Sequence, residues 1–136
     1  SSAKDQDDSA LRDSLGACSF ASDWYKDGFD YRHFLSAITG IPWSEKQFAQ
    51  AGERIYNLEK MFNYREGFRR EDDTLPERFF IDAATEGPAK GIKLDKTEFN
   101  AMLDDYYNSR QWDKLTSRPS NDKLIELGLQ QLCSIV

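Results

Sequence analysis

Ser44-Glu-Lys-Gln-Phe-Ala-Gln-Ala-Gly-Glu-Arg-Ile-Tyr-Asn-Leu-Glu-Lys-Met-Phe-Asn-Tyr-Arg-Glu-Gly67 is the stretch whose reading decides the fold. Phe48, Ala51, Ile55, Leu58 and Phe62 recur three and four residues apart, which gathers side chains on one face of an α-helix. Ser44 suits the N-cap, and Gln47 stands three residues on, as in a capping box. Gly67 ends the run as a residue able to take the left-handed turn after a helix. The apolar stripe is expected to be the buried core face. Glu53, Arg54, Glu59, Lys60 and Glu66 are expected on or beside the wet faces.

Working outward, Tyr31–Thr39 predicts a helix with Phe34, Leu35 and Ile38 on one side, stopped by Gly40 and then Pro42. Asp95 predicts a third N-cap, with Glu98 reciprocating, before a stripe of Phe99, Met102, Leu103 and Tyr106. A short helix carries Leu124, Ile125 and Leu127 ahead of Gly128. Thr74 is expected to cap another short helix with Pro76 and Glu77 in its first turn. Residues 82–94 and 115–121 are rich in turn formers and read as loops. No stretch shows strand alternation. The expected fold is all-α, an irregular helical domain of several helices with long loops. Residues 1–9 are polar and without periodicity, so they read as a flexible lead-in; residues 10–136 read as a single helical domain. The first residue is Ser, which suggests a processed or excised piece.

Eighteen aromatic residues (nine Phe, six Tyr, three Trp) argue against disorder in a chain of 136. The net charge of −6 argues against general nucleic-acid binding, which needs basic residues to displace counterions. Seven acids and three bases fall in residues 1–30, including Asp23 and Asp27. No run of apolar residues is long enough to cross a membrane, so neither a membrane nor a nucleic-acid partner is expected. No signal peptide is visible, and two cysteines, Cys18 and Cys133, do not make a secreted disulfide framework. The expected compartment is the cytoplasm.

Asp13-x-x-Gly16-x-Cys18 is the pattern with chemical content. A carboxylate accepts hydrogen bonds from an amino-bearing heterocycle, a Gly lets backbone approach a bulky ligand, and a Cys thiolate binds iron. The three within six residues suit a loop between a pterin and a cluster. On their own the same residues are better read as a chance Asp-x-x-Gly and a packed cysteine. A four-iron cluster takes four thiolates and this chain has two, so it does not hold one alone by cysteine ligation. His33, the single histidine, has no ligand-spaced partner and reads as a partly buried structural residue. An EF-hand loop from Asp5 fails, with Ala10 and Gly16 where Gly and Glu are required. Arg69, Arg70 and Arg78 with Glu71, Asp72 and Asp73 read as an ion-paired turn.

Several phrases occur in order: Asp13-x-x-Gly16-x-Cys18 followed by Phe20, Arg54-Ile-x-Asn57-Leu-Glu59, Asn63-x-Arg-Glu-Gly-Phe68, Asp72-Asp-x-Leu-Pro-Glu-Arg78, Glu86-Gly-Pro-Ala-x-Gly91, Asp104-x-Tyr106-Tyr-x-x-Arg-x-Trp112-Asp113 and Leu124-x-x-Leu-Gly-Leu129. Together they resemble the C-terminal part of the tungsten-containing aldehyde ferredoxin oxidoreductase family. The resemblance implies a whole enzyme with a tungsten bis-pterin beside a four-iron–four-sulfur cluster. It implies oxidation of aldehydes to carboxylic acids, with electrons passed to ferredoxin. It implies a β-rich domain upstream and helical domains of which this chain is a part. By the same resemblance Asp13 contacts a pterin amine, Cys18 is the fourth cluster ligand and Gly16 allows the tight loop; Ala17 stands where Leu is usual. The other cluster cysteines and the acid–base Glu and His belong upstream, so no catalytic residue is assigned here, and neither cofactor is complete in this chain. His33 follows the Cys18 motif, the wrong order for that histidine. The expectation is a C-terminal fragment or domain, inactive alone, whose partners are the remaining domains or subunit. The alternative is a helical interaction subunit or module that docks on a catalytic chain without its own cofactor. An exposed apolar patch at the Asp13 loop favours docking; a buried Cys18 favours a module with no cofactor role.

Overall fold

The computed structural model describes residues 2–22 and 30–135; Ser1, Val136 and the segment 23–29, with Asp23 and Asp27, lie outside the described residues. The long helix forms as expected. It spans Glu45–Arg65 (α4), and at its start Gln47 N–H donates to Ser44 Oγ at 3.2 Å while Ser44 N–H donates to Gln47 Oε1 at 3.0 Å. This reciprocal box satisfies two donors that a helix start leaves without partners. At the other end Gly67 takes φ +100°, Gly67 N–H reaches Tyr64 O at 3.1 Å and Phe68 N–H reaches Asn63 O at 3.0 Å. That pair of bonds is a Schellman motif.

The buried face of α4 is not the expected one. Gly52, Asn57, Lys60, Met61 and Tyr64 are buried, whereas Leu58 is 47% and Phe62 55% exposed, and Phe48, Ala51 and Ile55 are half-buried. The fully buried positions centre roughly 160° around the axis from the expected stripe. The reason lies in the partners. Asn57 accepts from Trp112 Nε1–H at 2.8 Å, Lys60 pairs with Asp73 at 2.8 Å, and Gly52 meets another helix backbone. Polar side chains with partners, and long ones with apolar stems, occupy the core side.

That other helix is α1, Ser2–Ser14, packed on α4. Residues 2–9, expected as a flexible lead-in, are thus helical. Their periodicity is hidden because the inward stripe of Ala3, Gln6, Asp7, Ala10 and Leu11 holds one large apolar residue. A Cβ on Gly52 would lie 2.5 Å from Asp7 O and 2.9 Å from Leu11 Cγ, so glycine lets the helices approach this closely. Lys4 pairs with Asp8 one turn on, and Arg12 sits in the last turn, where the helix dipole favours a cation.

Two short helices come next along the chain, α2 (Ser19–Ser22) and, after an intervening segment, α3 (Tyr31–Thr39). Asp30 caps α3 by accepting from His33 N–H at 3.0 Å, and Gly40 ends it at φ +70°. None of the α3 residues is buried; Phe34 and Ile38 are exposed, and His33, expected to be partly buried, is exposed as well. The short helix α5 is Arg78–Ile81, with Glu77 at its N-cap position. Thr74, expected to cap it, lies before it. The Arg69–Asp73 turn is tied to other elements more than to itself. Arg70 pairs with Asp104 at 2.6 Å, and Arg69 stacks on Tyr64 at 3.8 Å and donates to Tyr64 O at 2.6 Å.

Helix α6 spans Lys96–Arg110, capped by Asp95, which accepts from Thr97 N–H at 2.7 Å and Glu98 N–H at 2.9 Å. These bonds hold the Asp95 carboxyl below its ordinary value. Tyr107 and Arg110 are its buried residues, while Met102 of the expected stripe is exposed. Helix α7, Asn121–Glu126, starts at Ser120 and ends at Gly128. Leu124, Leu127 and Leu129 pack with Met61 into the main apolar cluster, and Ile125 faces out. Arg54 Nε–H donates to Leu127 O at 2.6 Å, so α4 satisfies a carbonyl at the end of α7. The fold is all-α; among the described residues the β content is one isolated bridge, Trp112 with Pro119. No described helix is long and apolar enough to cross a membrane.

Candidate functional site

The Asp13–Cys18 segment is a helix terminator. Gly16 takes φ +68°, Gly16 N–H reaches Asp13 O at 3.0 Å and Ala17 N–H reaches Arg12 O at 3.2 Å. This is a second Schellman motif, and the Asp-x-x-Gly spacing is that of the helix's closing turn. A Cβ at Gly16 would meet nothing within 4 Å. Gly16 is therefore fixed by backbone conformation, not by lack of room in the chain as it stands.

The terminator leaves Asp13 and Cys18 exposed, and among the described residues neither side chain has a hydrogen-bond or ionic partner. A carboxylate in a helix's last turn opposes the dipole, so the position is unfavourable for Asp13 on structural grounds alone. Leu15 and Phe20 flank the loop and are also exposed, Phe20 at 76%. Cys133, half-buried beside the α7 cluster, is likewise a free thiol.

Asp13 stands at one end of an open hollow of about 560 Å³ that runs along α1 and is bordered across from it by Tyr56 and Glu59. Beyond those two residues a second hollow, about 440 Å³, continues over Lys60, Asp73 and Trp112 to α6. Beneath lies a polar interior. Arg110, 2% exposed, donates to Asp7 Oδ1 at 2.6 Å, Ala3 O at 2.8 Å and Gln6 Oε1 at 2.8 Å. Its guanidinium lies 4.4 Å from the Tyr56 ring centroid. Burial pushes the Asp7 carboxyl up despite the Arg110 hydrogen bond, and burial with a bond to Tyr106 pushes the Tyr56 phenol up. Tyr107 O–H donates to Asp73, and burial followed by that bond raises its phenol too.

Among the described residues no three His, Cys, Asp or Glu converge on a metal position. His33 sits on α3 and has no part in the loop. Asp13 and Cys18 fit a contribution of one carboxylate and one thiolate to a group held mainly elsewhere; they do not make a complete site. The structure places Asp13, Gly16 and Cys18 at one helix end, where the pattern had suggested a loop. Sequence reasoning missed Asp7, Gly52 and Arg110, which seat that helix. A glycine inside a strong helix was the available signal at position 52. Arg110 is a charged residue in a half-polar stripe, and nothing in the sequence marks it as buried.

The sequence model of the family described as "Aldehyde ferredoxin oxidoreductase, domains 2 & 3" matches residues 2–129. The tungsten-containing aldehyde ferredoxin oxidoreductase of Pyrococcus furiosus is 39% identical over 127 residues, 93% of this chain and 20% of that protein. The proteins so named from Thermococcus kodakarensis and Pyrococcus horikoshii are 38% and 37% identical over the same share. The chain thus spans about a fifth of the length of these relatives.

Proposed function

The chain belongs to the aldehyde ferredoxin oxidoreductase family, as its C-terminal helical region, and we propose that it holds one edge of the cofactor site in an enzyme that oxidises aldehydes to carboxylic acids. When bound, the tungsten bis-pterin and the four-iron–four-sulfur cluster supply the redox chemistry, with electrons leaving to ferredoxin in the cytoplasm. This chain's own part is binding and orientation. Asp13 accepts hydrogen bonds from a pterin amine, and the Cys18 thiolate takes the fourth cluster position. The left-handed Gly16 fixes the backbone between them. The remaining domains bring the other thiolates and the acid–base groups, so the chain alone is inactive.

One observation carries this reading: Asp13 and Cys18 are exposed and unpartnered, among the described residues, on a backbone turn that is itself fully hydrogen-bonded. A module in which Cys18 merely packs has no support, since Cys18 is exposed. The exposed Leu15 and Phe20 support a surface that other protein covers, whether in the same polypeptide or in trans.

Anaerobic reconstitution with iron and sulfide tests the proposal. The isolated chain takes up no stoichiometric iron. The whole enzyme loses cluster absorption and iron when Cys18→Ser is introduced, and loses pterin when Asp13→Asn is introduced. Full iron and pterin in both variants overturn the assignment.

A further inference from the structure

We propose that Arg110 is a positioning residue for the Asp13–Cys18 loop, acting through the first two turns of α1; the proposal rests on the reading of that loop as a cofactor edge. Helix α1 has little apolar surface to seat it, with Leu11 as its one buried residue. Its placement comes instead from Arg110 and Gly52, which meet its inward stripe at Ala3–Asp7 and at Asp7–Leu11. The guanidinium grips three successive acceptors on the first two turns, Ala3 O, Gln6 Oε1 and Asp7 Oδ1, while its Nε–H donates to Tyr106 Oη at 3.3 Å. A planar fork with several donors fixes orientation as well as distance, which a point charge on lysine does not.

Arg110 is itself held. Helix α6 is tied to α4 through Trp112 and Asn57, and through Tyr107 and Lys60, which share Asp73. From the Arg110 grip, α1 runs as continuous helix to Ser14 and closes at Gly16. A tilt at Ala3–Asp7 therefore moves Asp13 and Cys18 as a lever moves its tip. Gly52 sets the other constraint, since a methyl group there collides with Asp7 O and Leu11 Cγ. Arg110→Lys and Gly52→Ala perturb the inward face of the same helix at neighbouring points by unrelated means. Phe80→Ala, at the α5–α6 contact where Phe80 meets Phe99, lowers stability without touching α1 and is the control.

Two readouts decide. In the chain, the amides of Leu15, Gly16 and Ala17 exchange about tenfold or more faster in Arg110→Lys and Gly52→Ala, while those of α7 keep their rates. In the iron-loaded whole enzyme, both variants keep wild-type iron content but shift the electron paramagnetic resonance lines of the reduced cluster. Phe80→Ala changes neither. Wild-type loop exchange and wild-type lines in both variants overturn the proposal, as does a Phe80→Ala enzyme that reproduces their effects. Should Arg110→Lys fail to fold, Gly52→Ala carries the test alone. Full iron retention in Cys18→Ser instead sinks the reading of the loop, and leaves the exchange result on α1 standing by itself.

Discussion

Four of the described helices end in the same backbone device, and they fall into two pairs. In α6 and α7 the residues that a Schellman turn brings together are large, apolar and buried. Tyr107 meets Trp112 at a ring distance of 5.9 Å, and Leu124 packs with Leu129 in the main cluster. In α1 and α4 the corresponding pairs are Arg12 with Ala17 and Asn63 with Phe68, and the turns lie at the surface. Hydrogen bonding is alike in all four, so the backbone does not distinguish them. The flanking side chains do: one pair closes the core, the other turns the residues after the helix toward the outside. The α1 turn presents a carboxylate and a thiol.

The sharpest way to break the closed pair is Trp112→Ala. It removes a buried ring, strips Asn57 of its donor and opens the space beside Tyr107 and Lys60. The expected loss is about 3–5 kcal/mol in urea unfolding. A loss under about 1 kcal/mol contradicts the assignment of this turn to the core.

Next in size is Asp113, which lies just after the α6 turn and accepts from Leu115 N–H at 3.0 Å, Thr116 N–H at 2.7 Å and Thr116 Oγ1 at 2.8 Å. Asp113→Ala costs about 1 kcal/mol. The bond from the Thr116 hydroxyl, then those from backbone, hold this carboxyl below its ordinary 3.8. Its folded value is lower than its unfolded one, so its contribution is complete above 3.8 and is lost as pH falls through the folded value. Asp113→Asn flattens that acid limb in a pH series of unfolding midpoints. Asp7 works in the opposite sense, since burial raises it: its ionisation weighs against the fold above its folded value, and relief comes as pH falls.

Helix existence was legible because it rests on local rules. Tyr31–Thr39 and the Ser44 box stand as the spacing predicts, and so do the Asp95 cap and the α7 leucines. Which face turns inward was not, for α4 and α6. There the core is built on Asn57, Lys60, Tyr107 and Arg110, whose burial depends on partners far away in sequence. Helix α1 was hidden for the same reason. A polar helix seated by one arginine and one glycine carries no hydrophobic period to read. The Asp13 pattern was visible as residues and as a family phrase, but its geometry as a helix end was not, because Asp-x-x-Gly belongs equally to a loop and to a closing turn.

Smaller effects sharpen the comparison within each pair. Gln111 ends α6 at φ +57°, a left-handed conformation that costs a side-chain-bearing residue energy. Gln111→Gly relieves it and, after the added freedom of the unfolded chain, stabilises by about 0.5 kcal/mol. A net loss in thermal unfolding indicates that the Gln111 side chain supports the turn.

The smallest expected change is at Asp13, and it bears most on function. Its carboxylate sits in the last turn of α1, exposed and, among the described residues, unpaired, against the direction of the helix dipole. Asp13→Asn removes the charge and keeps the shape, so the isolated chain gains about 0.3 kcal/mol at low salt, a gain that fades as salt rises. Paired urea curves at two ionic strengths resolve this best as a difference between variants. A loss of about 1 kcal/mol instead makes Asp13 a structural cap. The expected gain sets the residue apart from Asp95 and Asp113, which support the fold with hydrogen bonds to backbone. An acid whose removal stabilises the chain, beside an exposed thiol, is what the proposed contact outside this chain predicts.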